Sequence, residues 1–425
     1  MIFAPILSLI FMVLGTGFFM TFVSLHLRNS GLGDFQIGLT QSAFYLGMLL
    51  SSLRSERLIS RVGHIRSLTA TCGLLGAATL VLFVIPSPHW FWFRFIAGAC
   101  VGAFYIAVES WLLVEFPSNR RGVALAYYTI SIYAAQSLSQ LFLSINGLPL
   151  QSAYIVSAIL ISLAVIPVSI GSSGGPQVTT AEPESLFKFL KLSPLGVAGC
   201  FLGGMILSSL YSYMPLFIEA RGFQPGLVMA IMIAGGALLQ YPIGKMSDYL
   251  ERRKLLVGLG AVGFVLVMLM SLVGIKVLFY FTIFAMGGLL FTIYPVSMAL
   301  GCDCVEQRDI VKMTGVLLFA YGCGSVLGPV LTPVMQPIGD SFVLVMVGFY
   351  CVFLSSVGIY ALNYRRRIKI KDQTQFNVIP TGPIVEDFYP QTGSETRTDV
   401  EGSANGPKNM DQQRNNPGSL DPSLG

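Results

Sequence analysis

Twelve long apolar runs, parted by short polar segments, fill the first 364 residues of the chain. Measured against the roughly 17 to 25 residues that cross a bilayer as a helix, they predict spans over 2–25, 35–53, 65–85, 90–114, 122–145 and 153–170. A second set follows over 195–218, 227–241, 255–273, 277–300, 315–334 and 342–363. The pattern predicts an all-α membrane protein of twelve transmembrane helices: a six-helix bundle over 1–170, a linker over 171–191, a second bundle over 192–364 and a tail over 365–425. Past Lys371 the chain turns to Asp, Gln, Asn, Pro, Gly, Ser and Thr. So few apolar residues cannot build a core, and a disordered tail is expected. In the linker, Glu184-Ser-Leu-Phe-Lys188-Phe-Leu-Lys191 mixes apolar and basic residues and reads either as a segment on the membrane surface or as a plain tether.

The densest charge between apolar runs is Gly244-Lys-Met-Ser-Asp248-Tyr-Leu-Glu251-Arg252-Arg253-Lys254, a hinge between the eighth and ninth spans. A weaker counterpart, Arg54-Ser-Glu56-Arg57-Leu-Ile-Ser60-Arg61-Val-Gly63-His64-Ile-Arg66, joins the second and third. Two such hinges point to a duplicated bundle. Ser30-Gly31-Leu32 answers Arg221-Gly222-Phe223, Ser60-Arg61 answers Asp248-Tyr249, and Gly122-Val-Ala-Leu-Ala-Tyr answers Gly315-Val-Leu-Leu-Phe-Ala-Tyr, at offsets of 191, 188 and 193 residues. Six helices per half keep both halves in the same orientation, related by an axis along the membrane normal.

Basic residues set that orientation. Arg54, Arg57, Arg61, Arg66, Arg120, Arg121, Lys188, Lys191, Lys245, Arg252, Arg253, Lys254, Arg308, Lys312 and the run from Arg365 to Lys371 fall on one side, against Arg28, Arg221 and Lys276 on the other. The positive-inside rule makes the first side cytoplasmic, with both termini inside.

Composition narrows the function. The chain is 54% hydrophobic and 11% charged, where soluble domains carry about a quarter charged residues. The first run lacks the basic start and small-residue cleavage site of a secretory signal, so it reads as a retained helix. The seven cysteines are odd in number and mostly inside apolar runs, which excludes a disulfide framework. Cys302-Asp303-Cys304 has no Cys or His cluster to complete a metal site. Walker A, nucleophile-elbow and zinc-ligand patterns are absent, so ATP-driven pumping, hydrolysis, cofactors and nucleic-acid partners are not expected.

The fourth span carries two charges, Arg94 and Glu109, and charge inside hydrocarbon usually faces a cavity or a partner. At 100° per residue Arg94, Gly98, Tyr105 and Glu109 share one stripe, with the two charges roughly 22 Å apart. That spacing rules out a direct pair. Snorkelling of each charge to its nearer interface is the alternative. Further polar stripes run through Thr129, Tyr133, Gln136, Ser137 and Gln140; through Gly204, Ser208, Tyr211, Ser212 and Pro215; and through Tyr280, Gly287 and Tyr294. Small residues on such stripes also serve helix packing. The tyrosines and glutamines are better candidates for a cavity wall.

These residues resemble the major facilitator superfamily over positions 2 to about 363. Its cytoplasmic signature, roughly G-x-x-x-D-R-x-G-R-K, is matched in the second hinge by Gly244, Asp248, Arg252 and Arg253. In the first hinge Glu56 replaces the glycine and Ser60 the acid, leaving Arg61 and Gly63. Arg94-Phe-Ile-Ala-Gly98 is similar to the family's fourth-helix motif, and Glu115-Phe-Pro117 with Arg121-Gly122 to its exit from that helix. Together with Gly63-His-Ile-Arg66 and Val108-Glu109-Ser110, the resemblance is closest to the bacterial YcaD-like branch. The Gly-Pro motif of drug-proton antiporters is missing from 129–143, which speaks against drug export.

The resemblance implies a secondary transporter using alternating access, with a cytoplasmic charge latch of Arg61, Gly63, Arg66, Glu115, Gly244, Asp248, Arg252 and Arg253. Asp248 is expected to dock at a neighbouring helix N-terminus, and Glu115 to pair with Arg61 or Arg66. Protons are the expected coupling ion, with Glu109 as carrier and Arg94 as its electrostatic tuner or a substrate ligand. The expected partners are a small-molecule substrate and the lipid bilayer of the inner membrane, with the monomer as the working unit. A facilitative uniporter and a non-transporting sensor or scaffold remain open alternatives. A reporter fused after Lys371 is expected to report from the cytoplasm; labelling of the tail from outside intact cells would overturn the topology.

Overall fold

Without water, each backbone N–H and C=O must find its partner inside its own segment, and the apolar runs accordingly form helices. A computed structural model describes residues 3–116, 121–145, 151–170, 187–306 and 309–364, and strands are absent among them. The tail, most of the linker, Arg120, Arg308 and the side chains of Arg121 and Lys188 lie outside the described residues. Among the described residues twelve long helices are present: α1 (Phe3–Asn29), α2 (Asp34–Ser52), α3 (His64–Val84), α4 (Trp90–Glu115), α5 (Arg121–Gln140), α6 (Gln151–Leu163, resuming as Val165–Ile170), α7 (Pro194–Ala220), α8 (Pro225–Tyr249), α9 (Arg252–Leu272), α10 (Lys276–Cys302), α11 (Ile310–Leu331) and α12 (Phe342–Tyr364). The interruption of α6 precedes Pro167, which has no N–H to give the carbonyl four residues back.

Among the described residues ten helical segments are long and apolar enough to span on composition alone, and α2 and α5 are not among them. Their position explains it. α2 packs on α11, and α5 on α8, so both turn a face with polar residues to the opposite bundle, where Ser42 and Ser137 bond across. The eighth span also runs further than its apolar stretch. α8 continues through Pro242 to Tyr249, which makes Gly244 to Asp248 its last turns and leaves only Leu250 and Glu251 as the link to α9. The first hinge is likewise helical over Ser55–Val62, and Gly63 at φ +85° ends that helix and starts α3.

The two bundles repeat one packing plan. α1 packs on α5 and α6, α2 on α4, and α3 on α4 and α6; in the second half α7 packs on α11 and α12, α8 on α10, and α9 on α10 and α12. Glycine makes the closest of these contacts. A Cβ at Gly47 would strike the carbonyl oxygen of Phe95, and one at Gly98 that of Phe44; 188 or 189 residues later, Gly235 meets the Phe284 carbonyl and Gly287 that of Met232. The loops repeat too. Leu32 N–H bonds to the Leu27 carbonyl at 3.1 Å and Phe223 N–H to that of Ile218 at 3.1 Å, closing α1 and α7 with the same motif around left-handed Gly31 and Gly222.

The faces of the protein are named here by charge: α1 starts on the basic face and ends on the opposite one. The bundles meet along α1 and α7, α2 and α11, and α5 and α8. Serines of the first half bond to backbone carbonyls of the second along these contacts. Ser42 Oγ donates to the Val326 carbonyl at 2.6 Å, and Ser137 Oγ to that of Ala230 at 2.9 Å. Tyr213 of α7 ties three helices. Its hydroxyl lies 2.9 Å from the Asp34 carbonyl of α2 and 2.9 Å from the Pro329 carbonyl of α11. The Pro329 carbonyl is available because its intrahelical partner would be the N–H of residue 333, a proline. Gly38 completes the knot, since a Cβ there would collide with both that carbonyl and the Tyr213 hydroxyl. Beside it, Arg28 pairs with Asp34.

Tyr213→Phe removes the donor and leaves a buried carbonyl unpaired, which is expected to weaken this seam by about 1–3 kcal/mol. A lower thermal midpoint in detergent and faster labelling of an Ile37→Cys probe in α2 are the expected readings. Unchanged values for both would dismiss the hydroxyl as a tie.

Candidate functional site

Between the bundles lies a cavity of about 80 Å³, well below the 300–1,000 Å³ of sites that enclose drug-sized ligands. Its wall is aromatic. Tyr45 and Phe44 come from α2, Tyr105 from α4, Tyr128 from α5, Tyr211 from α7 and Tyr321 from α11, with Met20, Gln136 and Ser208 between them. Of the residues singled out from sequence, Tyr105, Gln136, Ser208 and Tyr211 line this cavity. Tyr294 stands one layer behind, its ring 4.3 Å from that of Tyr321. Tyr133 and Ser212 are buried, and Tyr133 lies within electrostatic reach of Tyr211 and Tyr321. Gln140 donates to the Gly17 carbonyl at 2.9 Å, and Tyr280 packs edge-on against Phe223 at 5.8 Å near the opposite face.

Sequence reasoning missed Tyr45, Tyr128, Tyr321 and Phe44. Tyr321 ends the repeat landmark that starts at Gly315, but its partner by cavity position is Tyr128, the residue after the landmark's Tyr127. Tyr127 faces outward, 55% exposed.

Arg94 and Glu109 flank the cavity without lining it. Arg94 is buried and gives its Nη2 to the Gln41 Oε1 at 2.9 Å and to the Met20 sulfur at 2.8 Å. Its guanidinium carbon lies 4.3 Å from the centre of the Phe44 ring. Gln41 is held in turn by Ser24 Oγ at 2.6 Å. Glu109, at 0% exposure, lies toward the basic face, within electrostatic reach of Tyr128 from its own bundle and Tyr294 from the other. That places a carboxylate on the seam between the halves.

On the basic face, the second hinge forms a buried ion pair. Arg252 Nη1 meets Asp303 Oδ2 at 2.6 Å, both side chains at 0% exposure, and Nη2 lies 3.4 Å from Asp248 Oδ1. Arg253 Nη1 reaches the Ala361 carbonyl in the last turns of α12 at 3.4 Å, where helix carbonyls lack partners. Gly244 is buried within α8. In sequence Asp303 stands out only as the residue between two cysteines; an acid at the end of one span, facing an arginine at the start of another, is the signal for its partner. The first half is built differently. At the 188-residue offset His64 replaces Arg252 and Glu115 replaces Asp303; His64 Nε2 lies 3.0 Å from Ser110 Oγ, and Glu115 accepts from Trp111 Nε1 at 3.1 Å. Arg61 and Arg66 are on the surface, and neither pairs with Glu115 among the described residues. The i, i+4 tryptophan donor is closer to that carboxylate than either arginine.

Two repeated six-helix bundles around an aromatic cavity, with charges buried at the seam, define a membrane transporter. The comparisons agree. A family model of the Major Facilitator Superfamily matches residues 6–234 and 224–377, and the chain belongs to that superfamily. It is 32% identical over 357 residues to an uncharacterised MFS-type transporter of Enterobacter sp. (strain 638), covering 80% of this chain and 90% of the relative. It is 31% identical over 359 residues to the uncharacterised MFS-type transporter YcaD of Escherichia fergusonii, with the same coverage. In fold it is similar to a bacterial homologue of the human lysosomal transporter Spinster, at a TM-score of 0.71 and 15% identity over 88% of this chain and 98% of that one. The nucleoside transporter NupG follows at 0.68 and 14% identity, over 85% and 98%.

Asp303→Asn takes the closest carboxylate from the buried Arg252 guanidinium, and a loss of about 3–5 kcal/mol is expected. The thermal midpoint should fall, and replacing both partners by apolar residues (Arg252→Met with Asp303→Leu) should restore much of it. A single variant as stable as the parent would refute the pair's structural weight.

Proposed function

We propose that this chain is a proton-coupled secondary transporter, working as a monomer, that moves a small solute through the central cavity by alternating access. On this reading the basic face is cytoplasmic, the membrane is the inner membrane, and the bundles over 1–170 and 192–364 move against each other on the 171–191 tether. The observation that carries it is the position of Glu109. A carboxylate with no exposure lies within electrostatic reach of a tyrosine from each half, Tyr128 and Tyr294. Its protonation removes a buried charge from the seam, so the proton changes the energy of closing one half on the other. The Arg252, Asp303 and Asp248 cluster lies within the second half and braces α8, α9 and α10 against one another on the basic face.

Glu109→Gln mimics the protonated acid permanently. Uphill, proton-driven accumulation in proteoliposomes should be lost while counterflow exchange survives, and Glu109→Asp should keep coupling at a reduced rate. Normal accumulation by the Gln variant against a gradient would remove Glu109 as the carrier. A structural glutamate makes a different forecast: intact transport, or loss of the protein through misfolding.

A further inference from the structure

A buried guanidinium needs an anion, and Arg94 has none among the described residues. Among the described residues it forms no ion pair. Both its hydrogen bonds leave from Nη2, and Nε has no acceptor. Glu109 lies on the same helix roughly 22 Å away, beyond pairing. One of the two acceptors is a thioether, among the weakest that side chains offer. The sulfur belongs to Met20, and Met20 lines the cavity, as does Phe44 on the other side of the guanidinium. The cation is therefore separated from the cavity by one flexible, weakly bonded side chain.

Resting on the transport reading above, we infer that the solute is a small organic monocarboxylate whose carboxylate displaces the Met20 sulfur and pairs with Arg94. An incoming carboxylate replaces a weak acceptor by a charge-assisted bond and neutralises a charge in a low-dielectric setting. One negative charge fits better than two. The described cavity wall contains no Lys, Arg or His, so a dianion would keep an uncompensated charge. The rest of the wall suits a flat or slender apolar body, with Tyr45, Tyr105, Tyr211 and Tyr321 facing the space and Gln136 and Ser208 offering neutral hydrogen bonds.

The test is a thermal-shift series on the purified full-length protein with benzoate and hexanoate, their neutral counterparts benzamide and hexanamide, and inorganic phosphate. The carboxylates should raise the midpoint saturably by about 2 °C or more, with no shift from the amides or phosphate. Arg94→Gln should lose at least about tenfold of the preference for carboxylate over amide, an effect that a merely structural arginine would not produce. A second route does not depend on that variant folding: Met20→Glu supplies a tethered carboxylate and should abolish the response to benzoate, while Met20→Gln keeps it. The inference is overturned if amides or phosphate stabilise as well as the carboxylates do, if no carboxylate in the series stabilises, or if Met20→Glu responds like the parent. Binding is read without flux, so a protein that binds carboxylates through Arg94 but moves none across a membrane refutes the transport reading alone. Proton-driven uptake of a neutral or cationic solute sinks the carboxylate inference and leaves the transport reading standing.

Discussion

Four glycines, Gly47 with Gly98 and Gly235 with Gly287, let α2 meet α4 and α8 meet α10 at the distance where one helix's Cα touches the next helix's carbonyl. Lipid offers no hydrophobic drive for helices to associate, so contact of this closeness has to supply the attraction through packing. The rest of each bundle follows. With α4 drawn against α2, its charged stripe is carried behind the α2 aromatics, and Arg94 comes to rest on Phe44, whose own carbonyl faces Gly98. The same device, shifted by 188 or 189 residues, sets α10 against α8 and brings Tyr294 to the seam.

Much of this architecture was legible in the chain because a bilayer reduces the problem to length and polarity. The span count, the repeat and the membership of the superfamily all follow from one-dimensional patterns. The ends were less so. α8 outruns its apolar stretch because a helix does not stop where the hydrocarbon does; Lys245 and Asp248 reach water from its last turns, and only the Leu250–Glu251 link breaks the ladder. The left-handed glycines at positions 31, 63 and 222 mark three turns that a sequence reader could have placed.

The site was harder to read, for a different reason. Residues on one helix can be sorted onto a stripe, but a cavity wall is assembled from helices that are far apart in sequence. Tyr45 and Tyr321 join the same wall from positions on opposite sides of a pseudo-axis, and nothing in either local sequence says so. Polarity misled in another way. Many buried hydroxyls spend themselves on their own helix four residues back, as Thr40, Ser297 and Thr314 do, and so report packing and not solute. The informative polar groups are those that reach across helices, Gln41 to Arg94 and Tyr213 to Pro329.

The second of these contacts has a consequence for how the seam parts. Pro333 leaves the Pro329 carbonyl with no amide in its own helix to return to, and the Tyr213 hydroxyl is its partner. If α7 withdraws, that oxygen has nothing to accept from except water. A dry crack along α2 and α11 would strand it in hydrocarbon, at a cost of a few kcal/mol. Any parting at this point would therefore also be a wetting: water would have to follow the departing tyrosine into the seam.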